Sequence, residues 1–119
     1  MKKDLEFFDV DSIPWKPIDG LPGQSERILA GDPNGPNQSR MLRFEPGTVT
    51  PDTLTHDFWE EVWIVRGSLR DLRLDETFHA GMYACRPPGM PHGPWEASDV
   101  CETFEVRYEA PQNPKDGAG

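Results

Sequence analysis

The chain has 119 residues, a formal net charge of −9, 35% apolar residues and 13 prolines. This length provides for one hydrophobic core and therefore one domain. The acidic balance argues against nucleic acid or an acidic membrane as a partner, because proteins that bind phosphates are usually basic. No run of about 18 apolar residues occurs, and Asp4 and Glu6 interrupt the apolar core that a signal peptide needs, so we expect a cytoplasmic protein.

Residues 1–38 are predicted to form an irregular N-terminal arm. Stretches such as IPWKPIDGLPG and AGDPNGPNQS carry a proline or glycine every few positions, which interrupts regular structure. The arm nevertheless holds large apolar side chains that need a hydrophobic surface, and we expect it to pack on the rest of the protein or on a partner subunit. These side chains are Phe7, Phe8, Ile13, Trp15, Ile18, Leu21, Ile28 and Leu29.

Residues 39–109 are predicted to form an all-β sandwich or small barrel. Short β-like runs alternate with turn signals, in the order RMLRFE, EEVWIVRG, SLRDLRL, GMYACR and CETFEVRYE. Strands of this length and spacing leave almost no room for helices, as is typical of these two architectures. The tail, residues 110–119, reads APQNPKDGAG and has no large apolar side chain to bury, so we predict that it is disordered.

Alternation within the run EEVWIVRG places Glu60 and Val62 on one face and Trp63 and Val65 on the other. If Glu60 points into the barrel, Trp63 and Val65 lie on its outer surface. An exposed apolar patch of this kind usually marks an interface, and twofold dimers are the commonest closed assembly. We therefore predict a homodimer.

The last run, CETFEVRYE, also alternates. Phe104, Val106 and Tyr108 share one face, and Glu105 and Arg107 share the other. Because buried faces are usually the apolar ones, we predict that the face containing Phe104 belongs to the core.

Two histidines and one glutamate are the candidate metal ligands. His56 and Glu60 flank a short segment, so a turn can bring them together, and the stiff turn PPGMP fixes the backbone position of His92. Two imidazoles and one carboxylate form the triad that non-haem iron uses, with open positions for oxygen and substrate. On the residues alone, a surface histidine and solvated glutamates are the alternative. His79 lies at a predicted turn and is expected to be exposed.

The spacing Gly81-x5-Pro87-x-Gly89-x2-His92 resembles the second sequence motif of the cupins at every position. The stretches WKPIDGLPG and RMLRFEPGT also resemble the cupin subgroup that contains the cupin domain of zinc anti-sigma factors and the acetylacetone-cleaving dioxygenases. The match spans roughly residues 40–108 and implies a jelly-roll barrel.

The first cupin motif is present in a degraded form. Gly47, His56, Glu60 and Gly67 resemble it, and six residues separate Glu60 from Gly67 as the family pattern requires. Leu54 stands where the first histidine of the family's His-x-His belongs. Cupins typically bind metal through three histidines and one glutamate, so this chain keeps a reduced set of ligands.

The resemblance implies one divalent metal ion, iron, zinc, manganese or nickel, held by His56, Glu60 and His92. It also makes Glu96 or Glu61 a base or an orienting group beside that metal, and Glu96 stands where the family often has asparagine. The side chains expected to line the substrate pocket are Leu54, Val62, Tyr83 and Phe104.

The function implied by the resemblance is a metal-dependent dioxygenase that acts on a small dicarbonyl or hydroxy-ketone substrate. The metal would chelate and polarise the oxygens of that substrate. A first alternative is a non-redox cupin isomerase, cyclase or lyase, in which His92 and a glutamate perform acid–base work. A second alternative is a cupin that senses a ligand or a metal without catalysing a reaction, because this fold supports many chemistries.

Overall fold

The computed structural model describes residues 2–109, which form ten β-strands and one short 3-10 helix, Val10–Ser12. None of the described segments is a helix of the length and apolar character that a bilayer crossing requires. The strands are β1 (Lys16–Pro17), β2 (Gln24–Gly31), β3 (Gln38–Phe44), β4 (Thr48–Val49), β5 (Phe58–Arg66), β6 (Ser68–Asp71), β7 (Glu76–His79), β8 (Tyr83–Arg86), β9 (Trp95–Ala97) and β10 (Cys101–Glu109).

The strands assemble into two antiparallel sheets. The larger sheet has six strands in the order β1-β2-β3-β10-β5-β8, and the smaller has four in the order β4-β9-β6-β7. Strands that are distant in sequence, such as β3 and β10, are therefore neighbours in space. This arrangement confirms the predicted all-β jelly-roll barrel.

The core lies between the two sheets. Inward positions of β3 and β5 alternate with exposed or half-buried ones, so that Leu42, Phe44 and Ile64 meet Leu69 and Ala97 of the smaller sheet. Each of these five side chains is buried. Burial of apolar area of this kind stabilises the sandwich by about 25 cal/mol per Å² removed from water.

The prediction of an irregular arm over residues 1–38 is wrong for residues 24–31. These residues form β2, which pairs with β3 in the larger sheet. The segment QSERILAG lies between Gly23 and Gly31, both with positive φ of 80° and 94°, and glycine adopts these values without steric cost. The strand shows no clear apolar alternation because Glu26 pairs with a buried arginine, Arg40, inside the barrel.

The first part of the arm packs against the outside of this same barrel. The guanidinium of Arg27 in β2 lies 4.0 Å from the ring centroid of Trp15, and its Nη1 is 3.0 Å from Asp11 Oδ1. Arg27 is buried as a result. Phe7, in contrast, is fully exposed at 101%. The predicted disordered tail, residues 110–119, lies outside the described residues.

A turn ends β6 earlier than the run SLRDLRL predicts. Asp71 Oδ1 accepts hydrogen bonds from the backbone N–H groups of Arg73 and Leu74, each at 2.9 Å. Asp75 then adopts a positive φ of 55°, and the chain returns as β7. An aspartate that bonds its own downstream backbone competes with the sheet, which explains why the strand stops at this residue.

The outer face of the larger sheet is apolar. Trp63 is 51% exposed and Val65 is 44% exposed, as alternation from Glu60 predicts. The prediction that Phe104 and its neighbours belong to the core is wrong, because Phe104 and Val106 line a shallow groove on this outer face together with Trp63. The inner face of β10 carries Glu105 instead, which is buried.

Candidate functional site

The barrel interior brings His56, Glu60 and His92 together. One potential ligand atom from each of these side chains lies within 4.8 Å of the others. Glu60 belongs to β5, His56 precedes that strand by two residues, and His92 follows β8. The ring centroids of the two histidines are 4.8 Å apart. Three residues distant in sequence therefore form one cluster, as the cupin motifs predict.

Backbone hydrogen bonds hold the turn before His92 in place. The N–H of Gly89 donates to the carbonyl oxygen of His56 at 2.8 Å, and that of Met90 donates to Pro87 O at 3.1 Å. His92 and Leu54 then exchange two backbone bonds of 2.9 and 2.8 Å. Gly89 has a φ of 85°, which the absence of a Cβ permits. The stiff turn thus aims one histidine at the segment that carries the other.

Both imidazoles are held in the neutral form. Burial, together with the nearby charge of Arg86, lowers the pKa of His92 to about 4. Burial and the charge of Arg107 also lower the pKa of His56. Burial raises the pKa of the Glu60 carboxyl, although Arg107 and Arg86 oppose that rise. Neutral imidazole is the form that binds metal ions, so the histidines need not lose a proton at neutral pH.

A chain of alternating charges crosses the larger sheet beside these histidines. We call it the charge ladder. Its successive contacts measure 2.6, 2.9, 4.0, 2.9 and 3.2 Å. Because neighbouring members stand on the same strand or on neighbouring strands, the sheet itself sets their order. The members, in sequence across the sheet, are Glu26, Arg40, Glu105, Arg107, Glu60 and Arg86.

The register of the sheet explains why these charges meet. Arg40 lies directly opposite Glu105, and Glu60 lies opposite both Arg107 and Arg86 on its two neighbouring strands. Opposite charges at facing positions attract, and the buried position strengthens that attraction by lowering the local dielectric constant. Glu60 therefore belongs both to the charge ladder and to the histidine cluster.

The cluster opens into a cavity of about 420 Å³. Its walls include Leu54, Val62 and Trp95 besides the charged side chains, and an adjoining cavity of about 210 Å³ shares Val62, Trp95 and His92. Cavities of a few hundred Å³ with apolar walls and a few convergent polar groups are typical small-molecule sites. Leu54 and Val62 are thus where the sequence places them, at the pocket wall.

The predicted positions of Glu61 and Glu96 beside the metal site are wrong. Glu61 adjoins Glu60 in a regular strand and so points to the opposite face, where it accepts hydrogen bonds from the hydroxyl groups of Tyr83 and Tyr108. Those bonds lower the pKa of Glu61. Glu96 Oε1 lies 3.4 Å from Arg70 Nη1, and its side chain is 41% exposed. Neither carboxylate lines the cavity at His56.

Two predicted pocket residues also occupy other places. Phe104 lies on the outer face of β10 and does not line either cavity of the barrel interior. Tyr83 lines the edge of the smaller cavity, but it is 60% exposed and directs its hydroxyl outward to Glu61. His79 is exposed at the end of β7, as expected.

Sequence reasoning missed the inner charges of Arg40, Arg86, Glu105 and Arg107. Glu105 and Arg107 stand on the polar face of β10, and that face points inward because Thr103 and Glu105 are buried whereas the apolar face is the outer one. The signal that could have revealed them is charged residues at alternate positions in several strands. Such residues are stable inside a barrel only when they face partners of opposite charge.

The chain belongs to the ChrR cupin-like domain family, whose model matches residues 3–110. This result agrees with the jelly-roll barrel and with a histidine–glutamate cluster in its interior. A search of curated proteins finds no match.

Solved cupin structures share the fold at low sequence identity. An RmlC-like cupin from Shewanella frigidimarina superposes with a TM-score of 0.71 at 16% identity, over 95% of this chain and 98% of the other. An acetylacetone dioxygenase from Acinetobacter johnsonii gives 0.69 at 14% identity, over 88% and 74%. The polyketide cyclase RemF from Streptomyces resistomycificus gives 0.69 at 17%, over 95% and 92%. Relatives with this fold thus include enzymes of different reaction types.

Proposed function

We propose that this protein is a metal-dependent cupin enzyme, a dioxygenase that acts on a small dicarbonyl or hydroxy-ketone. The observation that carries the proposal is the convergence of His56, Glu60 and His92, with ligand atoms within 4.8 Å of one another, at the cavity of about 420 Å³. Two histidines and one carboxylate bind a divalent ion such as iron, zinc, manganese or nickel and leave positions open for other ligands.

The residues present fit such an ion. Both imidazoles are neutral, and the buried Nδ1 of His92 has no hydrogen-bond partner among residues 2–109. A buried nitrogen without a partner is costly unless something binds it. Leu54, at the position of the missing family histidine, is 48% exposed and leaves the cluster with three protein ligands.

The chain's own residues account for binding and orientation. When bound, the metal supplies Lewis-acid polarisation of the substrate oxygens. The apolar side chains of Val62, Leu69 and Trp95 line both cavities, so they can hold the carbon skeleton of a small substrate and exclude water. Arg40 holds the buried Glu105 through a bond of 2.9 Å, and this pair fixes the wall behind the metal ligands.

We also propose a homodimer that buries the outer face of the larger sheet. Trp63, Val65 and Tyr83 are 51%, 44% and 60% exposed on or beside this face, and Phe104 and Val106 extend the apolar surface between them. A contiguous apolar surface is favourable to cover. The exposed Phe7 of the N-terminal arm adds to the apolar area that a second copy can bury.

Metal content and oxygen consumption test the proposed function. Protein expressed in metal-supplemented medium should contain about one divalent ion per chain, and iron(II)-loaded protein should consume oxygen when a β-diketone is added. His92→Ala should lose most of the metal, because two remaining protein ligands are too few for stable binding. His79→Ala is the matched control, since His79 is exposed and outside the cluster.

The outcomes of this experiment separate the candidate functions. A wild type as empty of metal as His92→Ala contradicts the metal site itself. Bound metal without oxygen consumption, for a panel of diketones and hydroxy-ketones, contradicts the dioxygenase and favours a non-redox reaction.

A further inference from the structure

Both carboxylate oxygens of Glu60 are already occupied by arginines. Arg107 Nε lies 2.9 Å from Oε2, and Arg86 Nη1 lies 3.2 Å from Oε1. Glu60 is also the only carboxylate within the described His56–Glu60–His92 cluster. A metal ion bound by this cluster therefore takes an oxygen that an arginine now holds, and it places a second cation close to the guanidinium groups. Metal and arginines compete for Glu60.

The two arginines have other contacts that keep them in the cavity. The guanidinium of Arg86 lies 5.5 Å from the ring centroid of Trp95, and that of Arg107 lies 5.1 Å from the ring of Phe58. Their side chains are only 13% and 19% exposed, and both line the cavity that contains the histidines. Arginine side chains that let go of Glu60 thus remain over aromatic rings, with their donors facing the same space.

The charges of the ladder point to the same conclusion. Three arginines and three glutamates balance to zero in the ladder as it stands. Because the histidines are neutral, a divalent ion raises the total to two positive charges in a buried site. An uncompensated buried charge is strongly unfavourable. A negatively charged ligand in the cavity restores the balance, and the planar fork of arginine matches a carboxylate.

We propose that Arg86 and Arg107 form a carboxylate-binding site that metal loading opens, so that the substrate is a small keto acid with an anionic end. The metal takes Glu60 and the carbonyl end of the substrate, and the released arginines hold its carboxylate. This inference rests on the metal site of the proposed function, and it narrows the substrate class from neutral dicarbonyls to acidic ones. Metal and carboxylate then bind cooperatively, each strengthening the other.

Calorimetric titration of the metal-free protein with zinc tests this proposal without using activity. The affinity for zinc is measured in chloride and again with acetate replacing chloride at equal ionic strength. Acetate is expected to raise the affinity about fivefold or more, the size of a typical coupling between two sites. If the wild type binds zinc equally well in both salts, the carboxylate site is refuted while the metal site stands. If zinc does not bind at all, the metal site itself has failed.

Variants locate the acetate effect. Arg86→Gln is expected to bind zinc more tightly than wild type in chloride, because one competitor for Glu60 is gone, and to show little response to acetate. Arg107→Gln is expected to do the same and provides an independent test if the first variant folds poorly. Arg70→Gln is the matched control, since Arg70 pairs with Asp75 and Glu96 on the surface. An undiminished acetate response in both interior variants would mean that acetate binds the metal alone, and would refute the site.

Discussion

Replacement of Arg40 by methionine removes the central cation of the charge ladder. Arg40 Nε lies 2.9 Å from Glu105 Oε1, and its Nη1 lies 2.6 Å from Glu26 Oε1. The side chains of Arg40 and Glu105 are 11% and 6% exposed. In Arg40→Met, Glu105 keeps a hydrogen bond from the Thr103 hydroxyl and the more distant charge of Arg107, 4.0 Å away. A buried carboxylate thereby loses its main counter-charge.

The expected cost follows from that geometry. Removing one partner of a buried ion pair destabilises a protein by about 3–5 kcal/mol, because the other charge is left uncompensated. For a chain of 119 residues, each kcal/mol lowers Tm by about 4 °C. Arg40→Met should therefore melt roughly 12–20 °C below wild type.

Urea and thermal denaturation at pH 7 measure this difference, with Arg43→Met as the control. Arg43 stands on the same strand but on the opposite face, and its partner Glu45 is 49% exposed. A surface pair of this kind contributes at most about 1 kcal/mol. If Arg40→Met and Arg43→Met lose the same small amount, the argument that the ladder stabilises the barrel interior is wrong.

The pH dependence supplies an independent check of the cause. Burial raises the pKa of Glu105, but Arg40 and Arg107 outweigh it and hold this pKa below its usual value. A depressed folded-state pKa gives stability that is present above the unfolded pKa and is lost as the pH falls through the folded pKa. In Arg40→Met burial dominates instead, and protonation relieves the penalty. The gap between wild type and variant should therefore narrow from pH 7 towards pH 4, and a constant gap would point to packing rather than charge.

Three further predictions concern the metal site, the acid stability and the assembly. Leu54→His should raise zinc affinity in calorimetry, because it restores an imidazole two residues from His56 on the same face of an extended segment; Leu5→His is the control, and an unchanged affinity would show that the first motif is misaligned. The pKa of His92, about 4, lies below its unfolded value, so the unfolded chain binds more protons and the unfolding free energy of the metal-free protein should fall between pH 7 and pH 5. His92→Gln should lose less of it in urea denaturation, and a loss equal to that of wild type would contradict the assignment. Trp63→Glu should convert the dimer to a monomer in sedimentation equilibrium, because a buried unpaired charge is unfavourable at an interface, whereas Val49→Glu, which alters the exposed Val49 of the smaller sheet, should leave the mass unchanged. A dimeric Trp63→Glu protein would place the interface elsewhere.

Local sequence determined the strands with clear signals. The runs that became β5 and β10 are predictable because alternation and flanking turn residues act within a few positions. The turn before His92 is equally local, since proline and glycine restrict or permit backbone angles wherever they occur. Motif spacing therefore identified His56, Glu60 and His92 as one cluster before their contacts were known.

Only the tertiary structure decided which face of each strand points inward. A strand has two faces, and the assumption that the apolar one is buried fails for β10, where Glu105 lies inside and Phe104 outside. The inward charges are stable because strands distant in sequence place Arg40 and Glu105 at facing positions, and no local pattern encodes that pairing. The same reason hid β2, whose Glu26 finds its partner only in the assembled sheet. Strand alternation thus fixed which residues share a face, whereas the long-range register determined what that face contacts.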